Sequence, residues 1–361
     1  MDSITQAVLG AALQGTVLGR IQGRRSLIYG AALGTVPDLD VVIRYADPVS
    51  QMTYHRGFSH SIFVLTGLAL LLALLVAWLG RTRWPGKGYT LARLFLAFWL
   101  VLVTHPILDA FTVYGTQLFW PLQSTPLSWA AVFIIDPLYT VPLLAAVLYT
   151  ACRGVNGRAL RFMGLALLFS TAYLGFGLAG RMAAEQRFQA ALDQQGVAVS
   201  DVRAVPLAFN SLVWRVLAKT PDGYYYEGVS SGFDRGPPEM QRLPLNLEAA
   251  DEIRGAPLLQ RLRWFTDNWL RYDQIGDALV VTDLRMGLPG NYTFRFNMAH
   301  RDREGHWVAV TPSRWVGAGV GPMFDSHDLV LIWRRIIDQQ PPLPLATWTT
   351  RYMGQTAESG R

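Results

Sequence analysis

The chain has 361 residues, of which 51% are hydrophobic and only 16% are charged, and its formal net charge is +6. An ordinary globular chain carries about 25% charged residues, so this composition excludes a disordered or collagen-like chain and a wholly soluble protein. Residues 1–180 hold 12 basic and 6 acidic side chains, whereas residues 181–361 hold 20 of each. The excess positive charge therefore belongs to the apolar half, where it indicates membrane topology, and we expect no nucleic-acid partner.

Long uncharged stretches dominate the first half, and a membrane-spanning helix needs about 20 apolar residues. About six membrane segments are predicted, the first two of them short, so that full spanning by these two stays open. The segments are 4–19, 26–43, 61–79, 94–113, 130–150 and 162–180. Glycines at four-residue spacing, at Gly15 and Gly19 and again at Gly30 and Gly34, predict close packing of the first two segments.

Basic residues give these segments an orientation. Loops 20–25, 80–93 and 151–161 hold ten Lys and Arg residues, whereas loops 44–60 and 114–129 on the opposite side hold two. Because basic loops stay cytoplasmic, we expect the second half of the chain to be extracytoplasmic. The N-terminus has no basic region or cleavage motif, so no cleavable signal peptide is expected.

Residues 181–361 are predicted to form a soluble α+β domain with a mostly antiparallel sheet, following a membrane domain at residues 1–180. An amphipathic helix is expected at 182–195, and the apolar runs 212–217 and 224–229 around Pro221-Asp222-Gly223 predict a hairpin. Further predicted elements are a helix at 249–272, strands at 278–286, 291–299 and 306–311, and a turn at Pro289-Gly290-Asn291.

Ionisable residues inside membrane segments are costly and are therefore functional candidates. At 1.5 Å per residue, Asp109 lies about 6 Å, Asp136 about 9 Å and His105 about 12 Å from the outer end of its segment. Asp38 and Asp40 close segment 26–43 on the same outer side. All of these groups therefore fall in the outer half of the membrane, although only Lys and Arg residues set the topology.

Three local patterns carry the candidate ligands. His105 and Asp109 are four residues apart, so they share one helix face and can bind one metal ion. Pro37 removes a backbone donor and should break the helix beside Asp38 and Asp40.

A third pattern places His55 and His60 on either side of Gly57, which predicts a turn that brings both imidazoles to one point, with Ser59 as a helix N-cap. Imidazole and carboxylate together suit zinc, and also manganese or iron. Two other readings stay open: the Asp residues could cap helices, and a proton relay uses the same residue types.

These residues resemble the YdjM-like family of bacterial inner-membrane proteins, which is described as metal-dependent hydrolases. The matching stretches are Met1-Asp2-Ser3-Ile4-Thr5-Gln6, Pro37-Asp38-Leu39-Asp40, His55-Arg56-Gly57-Phe58-Ser59-His60-Ser61, His105-Pro106-Ile107-Leu108-Asp109, Asp136-Pro137 and, less specifically, Asp283-Leu284-Arg285-Met286-Gly287. The resemblance covers the first 150 residues best and implies a multi-pass protein of the bacterial inner membrane. Many members carry His where this chain has Gln6, which implies a ligand or a supporting role for the Gln6 amide.

The leading hypothesis is a membrane-bound, metal-dependent hydrolase in which a metal-activated water attacks an ester, with a phosphoester or lipid-linked, amphiphilic substrate expected at the outer leaflet. The predicted ligands are His55, His60, His105, Asp109 and Asp38, with Ser59 and Gln6 as ligands or supporting residues and Asp40 or Asp136 as the general base. The expected cofactor is a divalent ion, zinc first, and the expected partners are membrane lipids. The alternatives are an ion- or proton-coupled transporter that uses the same cluster, and a membrane anchor for a binding domain. Oligomeric state stays open.

Overall fold

The computed structural model describes residues 1–83, 88–122, 124–288, 290–315, 326–339 and 345. Two compact units are present. Unit 1 comprises Met1–Ile43, His55–Trp129 and Ile134–Phe176. Unit 2 comprises Arg44–Tyr54, Ala130–Phe133 and Gly177–Arg361.

The first half of the chain is helical, as predicted. The α-helices of the described residues are α1 (Ser3–Gln22), α2 (Arg25–Gly34), α3 (Pro48–Tyr54), α4 (Ile62–Arg83), α5 (Leu91–Ala110), α6 (Pro137–Arg153), α7 (Gly157–Gln194), α8 (Pro257–Thr266) and α9 (Ser326–Arg335). Short 3₁₀-helices lie at Pro37–Val42, Phe58–His60 and Leu247–Ala250.

Three helices of the described residues are long and apolar enough to cross a membrane: Ile62–Gly80, Leu91–Ala110 and Gly157–Gln194. The six predicted spans are therefore not confirmed. Segment 26–43 does not form one helix, because α2 ends at Gly34 and Pro37 begins a 3₁₀-helix. The ten residues of α2 extend only about 15 Å, half of the roughly 30 Å hydrocarbon core.

Helix boundaries also differ at the two later segments. The predicted span 130–150 begins only at Pro137, because the carboxylate of Asp136 accepts hydrogen bonds from the backbone N–H groups of Leu138 and Tyr139 and caps the helix. Proline suits the first helical position, since its missing N–H would be unpaired there anyway. Segments 162–180 and 182–195 form one continuous helix, α7.

Close packing of α1 on α2 is confirmed, with a different partner on α1. A Cβ atom at Gly34 would lie 2.8 Å from the carbonyl oxygen of Gln6 and 3.3 Å from Cα of Gly10, and one at Gly30 would collide with the Gly10 carbonyl. Gly10, rather than Gly15 or Gly19, is therefore the α1 glycine that allows the two backbones to meet. A second apolar cluster joins α1, α4 and α5 through Leu18, Leu65, Ala69, Ala73, Leu94, Ala97, Phe98, Leu102 and Val103.

Unit 2 has an antiparallel sheet architecture, as predicted for the second half. Its strands are β1 (Asp201–Pro206), β2 (Val213–Lys219), β3 (Tyr224–Ser231), β4 (Glu239–Pro244), β5 (Leu270–Ile275), β6 (Ala278–Asp283), β7 (Gly287–Leu288), β8 (Asn291–Tyr292), β9 (Arg295–Arg301) and β10 (Trp307–Arg314). They form sheets of order β1-β2-β3-β4 and β10-β9-β6-β5, and a small β7-β8 pair. The predicted hairpin is confirmed as β2 and β3, which pair antiparallel.

The predicted helix at 249–272 is wrong in extent. Only Pro257–Thr266 is α-helical, because Asp267 adopts a left-handed backbone conformation that ends α8, and β5 begins at Leu270. Of the predicted turn at 289–291, Pro289 lies outside the described residues.

The Asp283-Leu284-Arg285 motif forms an internal ion pair of unit 2. Both charged side chains are fully buried, and Nη2 of Arg285 lies 2.8 Å from Oδ2 of Asp283. Arg285 also donates to the carbonyl oxygen of Phe265. These contacts give the motif a structural role within the sheet domain.

Candidate metal centre

Four metal-ligating side chains converge in unit 1. One nitrogen or oxygen atom each from Asp38, His60, His105 and Asp109 lies within 4.8 Å of the corresponding atoms of the other three. His60, His105 and Asp109 are almost completely buried, whereas the side chain of Asp38 is 21% exposed. The group is therefore a deep site with its one accessible ligand at Asp38.

Four of the six separations between these atoms are close to those around a tetrahedral ion. Nε2 of His60 lies 3.1 Å from Oδ2 of Asp109 and 3.5 Å from Oδ1 of Asp38. Nε2 of His105 lies 3.6 Å and 3.3 Å from the same two oxygens. Bonds of about 2.0–2.2 Å to a tetrahedral zinc ion would place neighbouring ligand atoms about 3.3–3.6 Å apart. The donor set therefore fits a single small ion.

Local sequence explains how each ligand reaches the centre. Pro37 opens the 3₁₀-helix that carries Asp38, and the 3₁₀-helix Phe58–His60 carries His60 just before α4 begins. On α5, the four-residue spacing of His105 and Asp109 directs both side chains to one face.

Each histidine of the centre is held by its other ring nitrogen. Nδ1 of His105 lies 2.6 Å from the carbonyl oxygen of Gly34, so it donates there. The hydroxyl of Ser59 donates to Asp40 at 2.7 Å, so Nδ1 of His60, 2.9 Å from this hydroxyl, must donate to it. Both Nε2 atoms are therefore left as acceptors facing the carboxylates, the arrangement of metal-ligating histidines.

His55 and Asp40 form a separate pair beside the centre. Nδ1 of His55 lies 3.0 Å from Oδ1 of Asp40, and the four-residue group does not include His55. Oδ2 of Asp40 accepts hydrogen bonds from the Ser59 hydroxyl and from the backbone N–H of Arg56. Asp40 thus links both histidines of the His55–His60 motif, and Ser59 supports His60 rather than capping a helix by a side-chain hydrogen bond.

Gln6 and Asp136 occupy different positions. The amide of Gln6 donates to Oδ1 of Asp109 at 3.0 Å and to the carbonyl oxygen of His105 at 3.2 Å, so it supports two ligands. The carboxylate of Asp136 caps α6 and accepts a hydrogen bond from the Tyr173 hydroxyl at 3.0 Å. The structure does not bring Asp136 into the group of four.

Arg56 is a further member of the site, although from the sequence it was expected only to contribute a loop charge. Its side chain is buried, and its Nε atom lies 3.1 Å from Oδ2 of Asp109. The guanidinium also contacts Thr112 and lies over the ring of Tyr114. Its position between the two histidines of one motif was the available signal. The amino group of Met1 contacts the other Asp109 oxygen.

Burial and the neighbouring side chains have opposite effects on the pKa of Asp38 and Asp40, two carboxyl groups that lie outside the candidate membrane spans. Burial favours the neutral form of Asp38, but the neighbouring imidazoles of His105 and His60 outweigh it and hold the pKa of Asp38 below its usual value. The pKa of Asp40 is lowered likewise against burial, by His55 and Ser59. Both groups are therefore ionised at neutral pH and available as anionic ligands or acceptors.

Several buried polar atoms at the centre lack a hydrogen-bond partner among the described residues. They are Oε1 of Gln6, Nε of Arg56, Nε2 of His60, Nε2 of His105 and Oδ2 of Asp109. Unsatisfied polar atoms are rare in protein interiors, and five at one point indicate a ligand-binding site. Three of them are the lone-pair atoms that would face a bound cation.

The family model of the YdjM inner membrane protein matches residues 1–184, just over half of the chain and all of the helical elements that carry the centre. The chain belongs to the YdjM inner membrane protein family. Membership of the YdjM family agrees with the three apolar helices, and the two findings identify this chain as a membrane protein.

One curated relative of this YdjM family member is the uncharacterized protein YfhP of Bacillus subtilis strain 168. It is 28% identical over 182 residues, which cover 48% of this chain and 53% of the relative. The chain thus spans about half the length of the relative that it matches. No solved structure gives a significant match.

Proposed function

We propose that this protein is a membrane-bound, metal-dependent hydrolase whose divalent ion is held by Asp38, His60, His105 and Asp109. The observation that carries the proposal is the convergence of four ligand atoms within 4.8 Å, three of them on buried residues. The fixed Nδ1 atoms of both histidines support it, because they leave Nε2 directed at the centre.

Zinc is the ion that this donor set suits best, with manganese or iron as alternatives. Two imidazole nitrogens and two carboxylate oxygens are intermediate ligands, neither all-oxygen nor sulfur-rich. The imidazole–carboxylate separations of 3.1–3.6 Å are close to those around tetrahedral zinc. Asp38 is the one accessible ligand, so we place the approach of water and substrate on its side. A divalent ion there would supply Lewis-acid chemistry and lower the pKa of a bound water toward neutrality.

Proton transfer in this proposal belongs to His55, with Asp40 as its positioning residue. Both oxygens of Asp40 already accept hydrogen bonds, from His55 and from Ser59 with the Arg56 backbone, so Asp40 is poorly suited to take a proton from water. The ring of His55 is 24% exposed and its Nδ1 is fixed, which leaves Nε2 for a reacting group. We assign Asp136 the structural role of capping α6.

Apolar side chains beside the centre support an amphiphilic substrate. Leu39, Val41 and Val42 share the 3₁₀-helix of Asp38 and are 59–74% exposed, and Phe58 is exposed beside His60. Phe58 lies just before Ile62, where a candidate membrane span begins. Exposed apolar groups at the end of a span are suited to the interfacial region of a bilayer. A substrate with a lipid tail would therefore reach the centre from the membrane.

The orientation belongs to the same proposal. The charge difference between the loops supports an orientation with the centre and the sheet domain on the extracytoplasmic side of the inner membrane. A transporter that used the same cluster would need ionisable groups at several depths, and the cytoplasmic halves of the predicted segments carry none.

Metal analysis of full-length protein in detergent tests the proposal. We expect about one equivalent of zinc, manganese or iron by plasma mass spectrometry, lost in a His60→Ala, His105→Ala variant. His300→Ala, on an exposed position of β9, is the matched control and should retain the ion. Equal metal content in all three proteins would contradict the site.

A second measurement tests hydrolysis. Ester and phosphoester substrates with long acyl chains should be hydrolysed by the metal-loaded protein, and less by the chelated protein or by the His60→Ala, His105→Ala variant. Turnover that survives chelation and the double substitution would contradict a metal-dependent hydrolase.

A further inference from the structure

Arg56 is a buried cation placed directly against a candidate cation site. Only 4% of the residue is exposed, and its backbone is held in the left-handed region with φ of 60°. Two backbone hydrogen bonds fix this conformation: the Arg56 N–H donates to Asp40, and the Arg56 carbonyl accepts from the N–H of Gln117. The guanidinium is therefore set in place by the chain on both sides.

The contacts of the guanidinium are incomplete. Nη1 donates to the hydroxyl of Thr112 at 3.3 Å, and the group lies 5.0 Å from the ring centroid of Tyr114. Nε lies 3.1 Å from Oδ2 of Asp109, but the geometry is not that of a hydrogen bond, and Nε–H has no acceptor among the described residues. A buried arginine normally satisfies its donors, so this donor is left for something else.

Metal binding would leave Arg56 with even less compensating negative charge. Oδ2 of Asp109 is the atom that faces Nε2 of His60 and His105, so an ion held there would draw on the same lone pairs that now face Arg56. Two cations would then share one carboxylate oxygen in a buried place. An oxyanion that contacts both the ion and the guanidinium would relieve the repulsion.

We infer that Arg56 binds a phosphoryl oxygen of the substrate, next to the metal ion, and that the substrate class is therefore a phosphoester. This inference rests on the proposed function. Planar arginine donors match the oxygens of phosphate, whereas a carboxyl ester is uncharged before attack and would leave the guanidinium and the ion sharing the charge of Asp109. Together with the apolar residues around Asp38, Arg56 selects a phosphorylated amphiphile.

The competing explanation gives Arg56 a purely structural role, as a counterion of Asp109 and a support for Thr112 and Tyr114. The two explanations differ in what happens to a free oxyanion. A structural arginine leaves phosphate binding to the metal ion alone, whereas a substrate-binding arginine contributes to it directly.

Titration calorimetry of inorganic phosphate into the full-length, metal-loaded protein in detergent separates them. In the Arg56→Gln variant we expect metal content to be retained and the phosphate dissociation constant to rise by at least about tenfold, since one charge-assisted contact is lost. Arg44→Gln, at an exposed arginine in the same region of sequence, is the control and should bind phosphate like the unaltered protein. Gln and Arg are both non-glycine residues, so the left-handed backbone is no more strained in the variant.

Equal phosphate affinity in the Arg56→Gln variant and the unaltered protein would overturn the inference while leaving the metal site intact. If the unaltered protein takes up no metal, the proposed function fails and this inference fails with it. If Arg56→Gln does not fold, Arg56→Met decides: it keeps much of the length of the side chain but loses the charge and every donor, and an unchanged phosphate affinity in that variant would refute the role of Arg56.

Discussion

Replacing Asp109 by Asn in metal-free protein should destabilise the helical unit strongly, because Asp109 is the counterion of a buried arginine. Asp109 is fully buried and its Oδ2 lies 3.1 Å from Nε of Arg56. At an effective dielectric constant of about 20, two unit charges at this distance attract by about 5 kcal/mol. Removing one member of a buried pair costs about 3–5 kcal/mol in practice, since the other charge stays buried. We therefore expect Asp109→Asn to lower the free energy of unfolding by about 3–5 kcal/mol.

The double variant Arg56→Gln, Asp109→Asn tests the cause of that loss. Because it removes both charges, it should be more stable than Asp109→Asn alone. Thermal unfolding followed by tryptophan fluorescence, with full-length protein in detergent and chelator, should show a fall in Tm on the order of 10 °C for the single variant and a partial recovery for the double one. Asp193→Asn, at an exposed position on α7, is the control. If the double variant loses as much as both single variants together, the ion-pair reasoning is refuted.

Three further predictions concern the metal site and the topology. His105→Ala and Asp109→Asn should each abolish tight metal binding. The double substitution should lower the metal affinity little more than the more damaging single substitution, and additive losses of binding free energy would contradict a shared ion. Ser59→Ala should weaken metal affinity about 10- to 100-fold by freeing the imidazole that Ser59 holds, and Ser59→Thr should retain it; equal affinity in all three proteins would contradict this supporting role. A reporter active only outside the cytoplasm should be silent when fused after Tyr149 and active when fused after Arg187, and the reverse result would overturn the orientation.

Sequence patterns predicted the parts of the centre that local geometry controls. The i,i+4 spacing of His105 and Asp109 fixes their common face wherever α5 forms, and Pro37 made a helix break beside Asp38 predictable. Asp38, His105 and Asp109 were all expected in the outer half of the membrane, and the structure brings them together with His60. The antiparallel character of the sheet domain was readable from alternating strands and turn residues.

The remaining assignments depend on tertiary contacts that spacing does not reveal. His55 was expected to bind the ion with His60, but the left-handed turn at Arg56 is held by long-range bonds to Asp40 and Gln117, and it places His55 against Asp40. The same turn buries Arg56, which looked like an ordinary loop charge.

Asp136 shows a different limit of sequence reasoning. Its depth in an apolar stretch suggested a carboxylate within a membrane helix. The structure shows the residue at the start of α6, where its oxygens accept the unpaired backbone N–H groups. Counting residues from a segment end cannot distinguish these cases, because the true helix start depends on the cap itself.

The candidate ligands of the centre come from three elements that are distant in sequence: residues 38 and 60 are 22 positions apart, and residues 60 and 105 are 45 apart. A bound ion would therefore act as a cross-link across two long loops of a chain whose single cysteine cannot form an internal disulfide. The stability of the helical unit would then depend on ion supply, increasing by about 1.4 kcal/mol for each tenfold rise in free ion above its dissociation constant. Ion availability would then control how much of the protein is folded.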